Sequence, residues 1–403
     1  MRSPGHAGPA LGAVVVWMIA AQVALHAQMA GVRLLLPLQV LDDGGGALGA
    51  GLLQGLFAVL PVLLALPAGR LADRHGYHRP QRAAIACALL GSACAWAATV
   101  WAEARAPLQA LAALASGAGA NIGLIALMRS AGRLSDDPAR RLRLFGWVGV
   151  APALANVLGP VGIGQLIDHA GWAWAAASTL VLPVLAALAV TRVPSEPRPA
   201  PPARPTAGDP AGGRFALLRR PGMPALLAVN ALLSATWDVH TFAVPLLGHA
   251  RGLSAGTIGL VLGCFTATVT LVRPVAPLLA DHVRPLTVLR TAMVAAGGVC
   301  LVYPWSQGAL SMAACAMALG LALGAVQPMV MATLHQLTPA ARHGEAIALR
   351  SMTINASAAV LPLIFGLAGA GFGVGMLFSI MGLAVGAGSQ IVPRLVRVLA
   401  ARS

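Results

Sequence analysis

Asp238 is the residue whose chemistry most needs a reason. It lies in the run PALLAVNALLSATWDVHTFAVPLLG and is the only carboxylate near the middle of any long apolar segment. A carboxylate at the centre of a bilayer costs roughly 2.5–3.5 kcal/mol on insertion scales. A group kept at that cost faces a partner or a watery path, where it can take up a proton or hold a cation. The plainer alternative is a hydrogen bond that ties one helix to another. Helical spacing gathers more polar groups around it. Asn230, Ser234 and Thr241 share with Asp238 a stripe about 80° wide, and Trp237 is its neighbour in sequence. On the first apolar helix Gln22, His26, Met29 and Arg33 fall within about 60° of one another. Polar stripes on apolar helices belong against a cavity rather than lipid. Arg33 is the natural counter-charge for Asp238, and opening the pair would free the carboxylate to take a proton. Two further readings stay open: Arg33 snorkels towards Asp42 and Asp43, and His26 is a hydrogen-bonded core residue rather than a proton relay. His240 lies about 200° round the helix from Asp238 and is left out of the site.

The elements that must position these residues are set by composition. The 403 residues are 58% hydrophobic and 10% charged, with a mean hydropathy of +0.79. Apolar runs of membrane-spanning length recur from end to end. They predict helices near 12–39, 47–68, 82–101, 107–129, 144–167 and 172–191. Six more follow near 223–248, 255–279, 286–304, 308–333, 346–368 and 371–392. The first is too long, and too polar at its far end, for a removable signal peptide. The fold class is therefore an all-α membrane protein with 12 transmembrane helices. The formal charge of +15 does not mark a nucleic-acid partner, because its placement is topological. Every basic residue is Arg, and there is no Lys. Arg105 and Arg251 fall in loops on one side, Arg33 and Arg273 within helices, and the rest on the other side. The positive-inside rule then places both termini in the cytoplasm. Cys87, Cys94, Cys264, Cys300 and Cys315 all sit in apolar helices at spacings that fit no metal site, so no metal or cofactor is expected.

The chain divides into an N-terminal bundle over 1–191, a cytoplasmic linker over 192–222 and a C-terminal bundle over 223–403. The linker is rich in Pro and Arg, a composition that packs into nothing. The two bundles are also alike. A shift of 208 positions pairs Pro37 with Pro245, Gly51 with Gly259, Gly55 with Gly263, Phe57 with Phe265, Asp73 with Asp281 and Arg82 with Arg290. The same shift pairs Arg33 with Thr241. Parallel six-helix repeats build a cavity between two halves that rock about a central site.

The segment from Gly69 to Arg79, read as the loop after the second helix, resembles the G-x-x-x-D-R-x-G-x-(R/K)-(R/K) signature of the major facilitator superfamily. Gly69, Asp73, Arg74, Gly76 and Arg79 match, and His78 replaces one basic residue. The resemblance implies that Asp73 latches this loop to the start of the eleventh helix, near Glu345 to Arg350. Asp281 would be the remnant of the same latch in the second half, where Pro277 and His282 replace the matching Gly and Arg. The fifth helix is similar to a motif of drug and metabolite exporters in that family: Gly146, Gly159, Pro160 and Gly164 match, while Ala155 and Ile163 stand where glycines are expected. The arginine that proton-coupled members often carry in the fourth helix is absent; Ala113 holds its place. Asn121, Asn156, Gln327 and Asn355 are further candidates to line the path.

The resemblance implies a secondary active transporter of the inner membrane, acting as a monomer in the lipid bilayer and exporting a small organic molecule, a drug or a secreted metabolite such as a siderophore, in exchange for protons. The alternative is a proton-coupled importer of a sugar or organic anion, in which Arg33 would bind the anionic group. ATP drive within this polypeptide is excluded, because it has no phosphate-cradling loop and no Lys. An enzyme would need nucleophile or carboxylate clusters at one membrane depth, and none is found. A sensor would need an appended soluble domain.

Overall fold

The computed structural model describes residues 11–134, 138–194, 216–273, 284–338 and 342–400. Regular structure among them is helical throughout. The first half contains α1 (Leu11–Asp42), α2 (Ala47–His75), α3 (His78–Val100), α4 (Arg105–Arg133), α5 (Pro138–Ser178) and α6 (Val181–Thr191). The second contains α7 (Met223–Ala250), α8 (Ala255–Val272), α9 (Pro285–Val302), α10 (Ala309–Gly324), α11 (Val326–Leu337), α12 (His343–Phe372), α13 (Val374–Gly388) and α14 (Val392–Ala400). Among the described residues ten segments are long and apolar enough to cross a membrane. The other two passages are irregular for visible reasons. The 28 residues of α7 are ample in length but include Asn230, Ser234, Asp238 and His240. The sixth passage begins after Gly171, whose φ of 82° reverses the chain inside α5. It breaks again at Thr179, because Pro183 has no N–H to bond the Thr179 carbonyl. The freed carbonyl accepts instead from Ser92 Oγ at 3.1 Å.

Several predicted boundaries move. The tenth predicted helix is two helices, α10 and α11, meeting at Ala325. The eighth is helical to Val272 and described to Arg273, and Asp281 lies outside the described residues, as does most of the 192–222 linker. The Gly69–Arg79 segment is not a loop. Gly69 to His75 are the last two turns of α2, and the reversal is confined to Gly76 and Tyr77 before α3 begins. Gly76, with φ of 70°, is the glycine the turn requires, and its N–H caps α2 at the Ala72 carbonyl, 2.9 Å away. Gly69 is helical, and a Cβ there would meet nothing within 4 Å.

Within each bundle the helices approach closely because small residues face backbone. A Cβ on Gly117 of α4 would fall 2.0 Å from the Phe57 carbonyl oxygen of α2, and one on Gly119 would fall 2.8 Å from that of Ala84 in α3. Among the described residues the bundles meet chiefly along α2 with α12 and α5 with α8, and more lightly along α1 with α7 and α2 with α7. These contacts are concentrated at the end opposite the one where α6 stops and α7 starts, hereafter the far end and the linker end. The core of the second bundle takes from the first bundle only Leu34, Leu38 and Ala50, with Leu41, Ala47 and Trp172 packed against it. All six lie in the far-end parts of their helices. The fold is thus two six-helix bundles sealed together at one end.

Candidate functional site

Between the seal and the linker end the polar residues of α1 and α7 face one another. Pro160, Gly31 and Gly159 set the spacing there: a Cβ on Gly159 would fall 2.6 Å from the Ala27 carbonyl oxygen, so α5 lies directly on α1. A small cavity of about 40 Å³ just inside the seal is lined by Arg33, Gln54, Asn156, Pro160, Trp237 and Thr241. With its amide oxygen turned towards Arg33, Gln54 accepts from Nε and Nη2 at 2.5 and 2.8 Å. A larger cavity of about 250 Å³ follows on the linker side, and Asp238, Ser234, Asn230, Trp237, Arg273 and Gln327 are among its lining. The Asp238 residue is 9% exposed. No hydrogen bond or ion pair of its carboxylate is found among the described residues, so the group is not sealed into dry packing but opens on the cavity. Arg33 and Asp238 are within electrostatic reach of each other across the bundle interface, without a direct ion pair.

Behind two lining residues of the larger cavity, Asn230 and Gln327, lies a buried charge. Arg350, on α12, is 8% exposed. Its Nε donates to Asn230 Oδ1 at 3.1 Å, and its Nη2 donates to Gln327 Oε1. Arg273 closes the other side and has no hydrogen-bond or ion-pair partner among the described residues. The signal for both was present: an arginine within an apolar helix raises the same question of cost as Asp238. In the sequence the Glu345–Arg350 stretch reads as the start of a helix, and Arg273 as one charge within an apolar run.

Not every predicted site residue joins this group. Gln22 is fully buried and turned into α4, where its Nε2 donates to the Ala120 carbonyl at 3.0 Å, so it ties helices together rather than lining a path. The reason is rotation: the stripe on α1 is wide enough that its first member faces α4. His26 is partly buried within electrostatic reach of Arg33, and its Nδ1 has no partner. Thr241 lines the small cavity but spends its hydroxyl on the Trp237 carbonyl, 3.1 Å away. Trp237 touches both cavities and packs edge-on against Phe265 at 4.6 Å. Asn121 donates to the Pro61 carbonyl at 3.5 Å, away from both cavities, and the Asn355 side chain lies outside the described residues.

The motif residues sort by end. Gly164 and Pro160 belong to the seal: a Cβ on Gly164 would fall 2.4 Å from the Ala255 oxygen, and one on Gly259 would fall 2.3 Å from the Pro160 oxygen. Gly146 is helical within α5. Arg74 and Arg79 are exposed at the linker end. Among the described residues Asp73 has no contact with α12. It pairs with Arg129 of α4 at 3.7 Å, while the described contacts of α2 with α12 lie at the other end, Gly51 and Gly55 against Pro362 and Ala359. His78, the departure from the motif, bonds the Val193 carbonyl at 3.0 Å just beyond α6.

A paired bundle with charged groups in a central cleft defines a membrane carrier. The chain matches the family model of the Major Facilitator Superfamily over residues 18–236 and again over 226–401, and it belongs to that family. A stretch of 133 residues is 29% identical to an MFS-type efflux pump of Mycolicibacterium smegmatis; the match spans 33% of this chain and 31% of that protein's length. Among solved structures, a POT family transporter in complex with a thioalcohol conjugated peptide shares the fold with a TM-score of 0.77 at 10% identity, over 96% of each chain. A POT family transporter in complex with 5-aminolevulinic acid does so with a TM-score of 0.72 at 11% identity, over 95% of each chain. At these identities the likeness speaks for the fold.

Proposed function

We propose that this chain is a proton-coupled secondary carrier for a small organic molecule, with Asp238 as the group that takes and releases the proton. The observation that supports this reading is an ionisable side chain midway along α7, opening on a cavity, with its counter-charge Arg33 on the opposite bundle. A carboxylate so placed is reached from whichever end of the molecule is open, and rocking the bundles moves it against Arg33. With the positive-inside orientation, the far end is outward and the state described is inward-open. Both termini are then cytoplasmic and the membrane is the inner one.

Two directions of transport have support. The resemblance to an efflux pump and the contact of Pro160 with Gly259 of α8 favour export of a small molecule in exchange for protons. The arginines around the larger cavity favour import of an organic anion together with a proton. Counterflow in vesicles of known orientation separates them. The coupling role of Asp238 has its own test. In vesicles, substrate-dependent proton flux is expected for the native chain and lost in Asp238→Asn, while substrate exchange, which needs no net proton movement, persists. Undiminished proton flux in the variant removes Asp238 from the mechanism.

A further inference from the structure

The charges around the central cavities do not balance. Arg33 and Arg273 line the two cavities and Arg350 lies behind Asn230 and Gln327, while Asp238 is the one carboxylate among the described lining residues. Once Asp238 is set against Arg33, the guanidinium groups of Arg273 and Arg350 have no counter-charge among the described residues. The hydrogen bonds of Arg350 do not supply one. Asn230 and Gln327 are neutral amides, which satisfy its N–H groups and leave its charge intact. Holding uncompensated charge away from water is costly, and the cost falls when an anion arrives.

A second observation points the same way. Asn230 is 2% exposed, and its Oδ1 is committed to Arg350, which fixes the orientation of the amide. Its Nδ2 is left buried without a partner, on the wall of the same cavity. The cavity therefore presents an unpartnered arginine, an unpartnered amide N–H₂ and the Ser234 hydroxyl, with Arg350 behind them. That set offers donors and positive charge, which suits an oxyanion and repels a cation.

We infer that the larger cavity binds a small organic anion through a carboxylate or similar oxyanion, held by Arg273 and Asn230 Nδ2 with Arg350 as fixed positive charge. The inference rests on the carrier reading above and, of its two directions, selects import. Around Asp238, Arg33 of α1 is within electrostatic reach, Arg273 at the end of α8 shares its cavity wall, His26 of α1 lies near Arg33, and Arg350 of α12 stands behind Asn230; α2, α5 and α11 contribute only the amides Gln54, Asn156 and Gln327, and His240 is turned away to Tyr303, 3.2 Å distant. Protonating Asp238 removes the single negative charge facing the anion. Proton and anion then favour each other's binding, which is the thermodynamic condition for moving together rather than in exchange.

The test uses the purified full chain and probes matched in shape but not in charge. Benzoate, hippurate and citrate are compared with neutral benzamide and cationic benzamidine, by thermal stabilisation and by quenching of tryptophan fluorescence. At least one anion is expected to stabilise the chain, more strongly at lower pH, while benzamide and benzamidine do not. Arg273→Gln, which breaks no hydrogen bond or ion pair among the described residues, should weaken that anion by about tenfold or more, the loss of one charged hydrogen bond. Ser234→Asp, adding a carboxylate to the wall, should weaken it as well. Asp238→Asn should bind the anion as tightly as the native chain or more so; a cation site would lose its ligand in that variant. Stabilisation by benzamidine, an unchanged affinity in Arg273→Gln, or no response to any of the three anions overturns the inference. A chain that binds and carries benzamidine still stands as a carrier, whereas one that binds the anion but moves none under a proton gradient keeps the site and loses the transport reading.

Discussion

Two aspartates at opposite ends of the molecule do different things. At the far end Asp168, on α5, reaches across the bundle interface, and its Oδ2 accepts from the Gly256 N–H at 2.9 Å. Gly256 is in the first turn of α8, whose N-cap Ser254 already accepts from Thr257 N. The start of α8 is thus capped twice, once by its own chain and once by the other half of the protein. At the linker end Asp73 has no such reach and stays within its own bundle on Arg129. One carboxylate is spent on holding the halves together, the other on a neighbour in the same half. The difference follows from where backbone can approach backbone. At the far end Gly51 lies against the Pro362 carbonyl and Gly259 against the Pro160 carbonyl, where a Cβ would fall at 2.5 and 2.3 Å. These two glycines are equivalent in the repeat, so the seal is built twice from the same part.

Breaking the seal should have the largest effect. Gly259→Val places a branched side chain where even a Cβ overlaps rigid backbone, and overpacking of this kind costs about 1–3 kcal/mol. The far end can then no longer close as described. In a chain freed of its native cysteines, Ala50→Cys reads the change, since Ala50 is fully buried in the seal. Labelling by a membrane-impermeant maleimide from the far side should rise at least about tenfold with Gly259→Val, and transport should fall to a similar degree. Gly51→Val should behave alike. An unchanged labelling rate would mean that these contacts do not set the gate.

The sequence showed the parts of this seal without showing its use. The repeat of Gly51 with Gly259 was legible, as were twelve passages, because hydropathy and small-residue spacing are local properties. That each glycine faces a proline carbonyl of the other half was not legible, since it depends on how the bundles rock. The site was half legible for the same reason. Asp238 and Arg33 stood out as charges deep within apolar helices, and both line cavities. Gln22 was placed on the wrong side of α1 because a stripe about 60° wide does not say which neighbour each member meets. Arg350 was missed because it follows Glu345 in a stretch that reads as a polar helix start. Its burial comes from Asn230 and Gln327, 120 and 23 residues away in the chain.

Weakening the far-end cap sharpens the comparison at smaller cost. Asp168→Ala removes the acceptor for the Gly256 N–H, a capping bond worth about 1 kcal/mol, so labelling at Ala50→Cys should rise roughly fivefold. Asp168→Asn keeps an acceptor oxygen and loses only the charge facing the helix terminus, so its effect should be smaller. If both substitutions raise labelling equally, the charge alone matters; if neither does, Asp168 follows the seal rather than holding it.

Asp73 should give the smallest effect and the opposite sign. Its side chain is 61% exposed and its pair with Arg129 spans 3.7 Å, a geometry in which an ion pair adds less than about 1 kcal/mol. Asp73→Asn should therefore leave thermal stability nearly unchanged. The motif resemblance, however, assigns Asp73 a contact with the start of α12 in the alternate state, in which the linker end is closed. Losing that contact penalises the alternate state alone and raises the share of the one described. Labelling at Ala50→Cys should then fall by about twofold, while both Asp168 substitutions raise it. A rise with Asp73→Asn would place this carboxylate on the same side of the equilibrium as Asp168, and the two ends would no longer act as opposed latches.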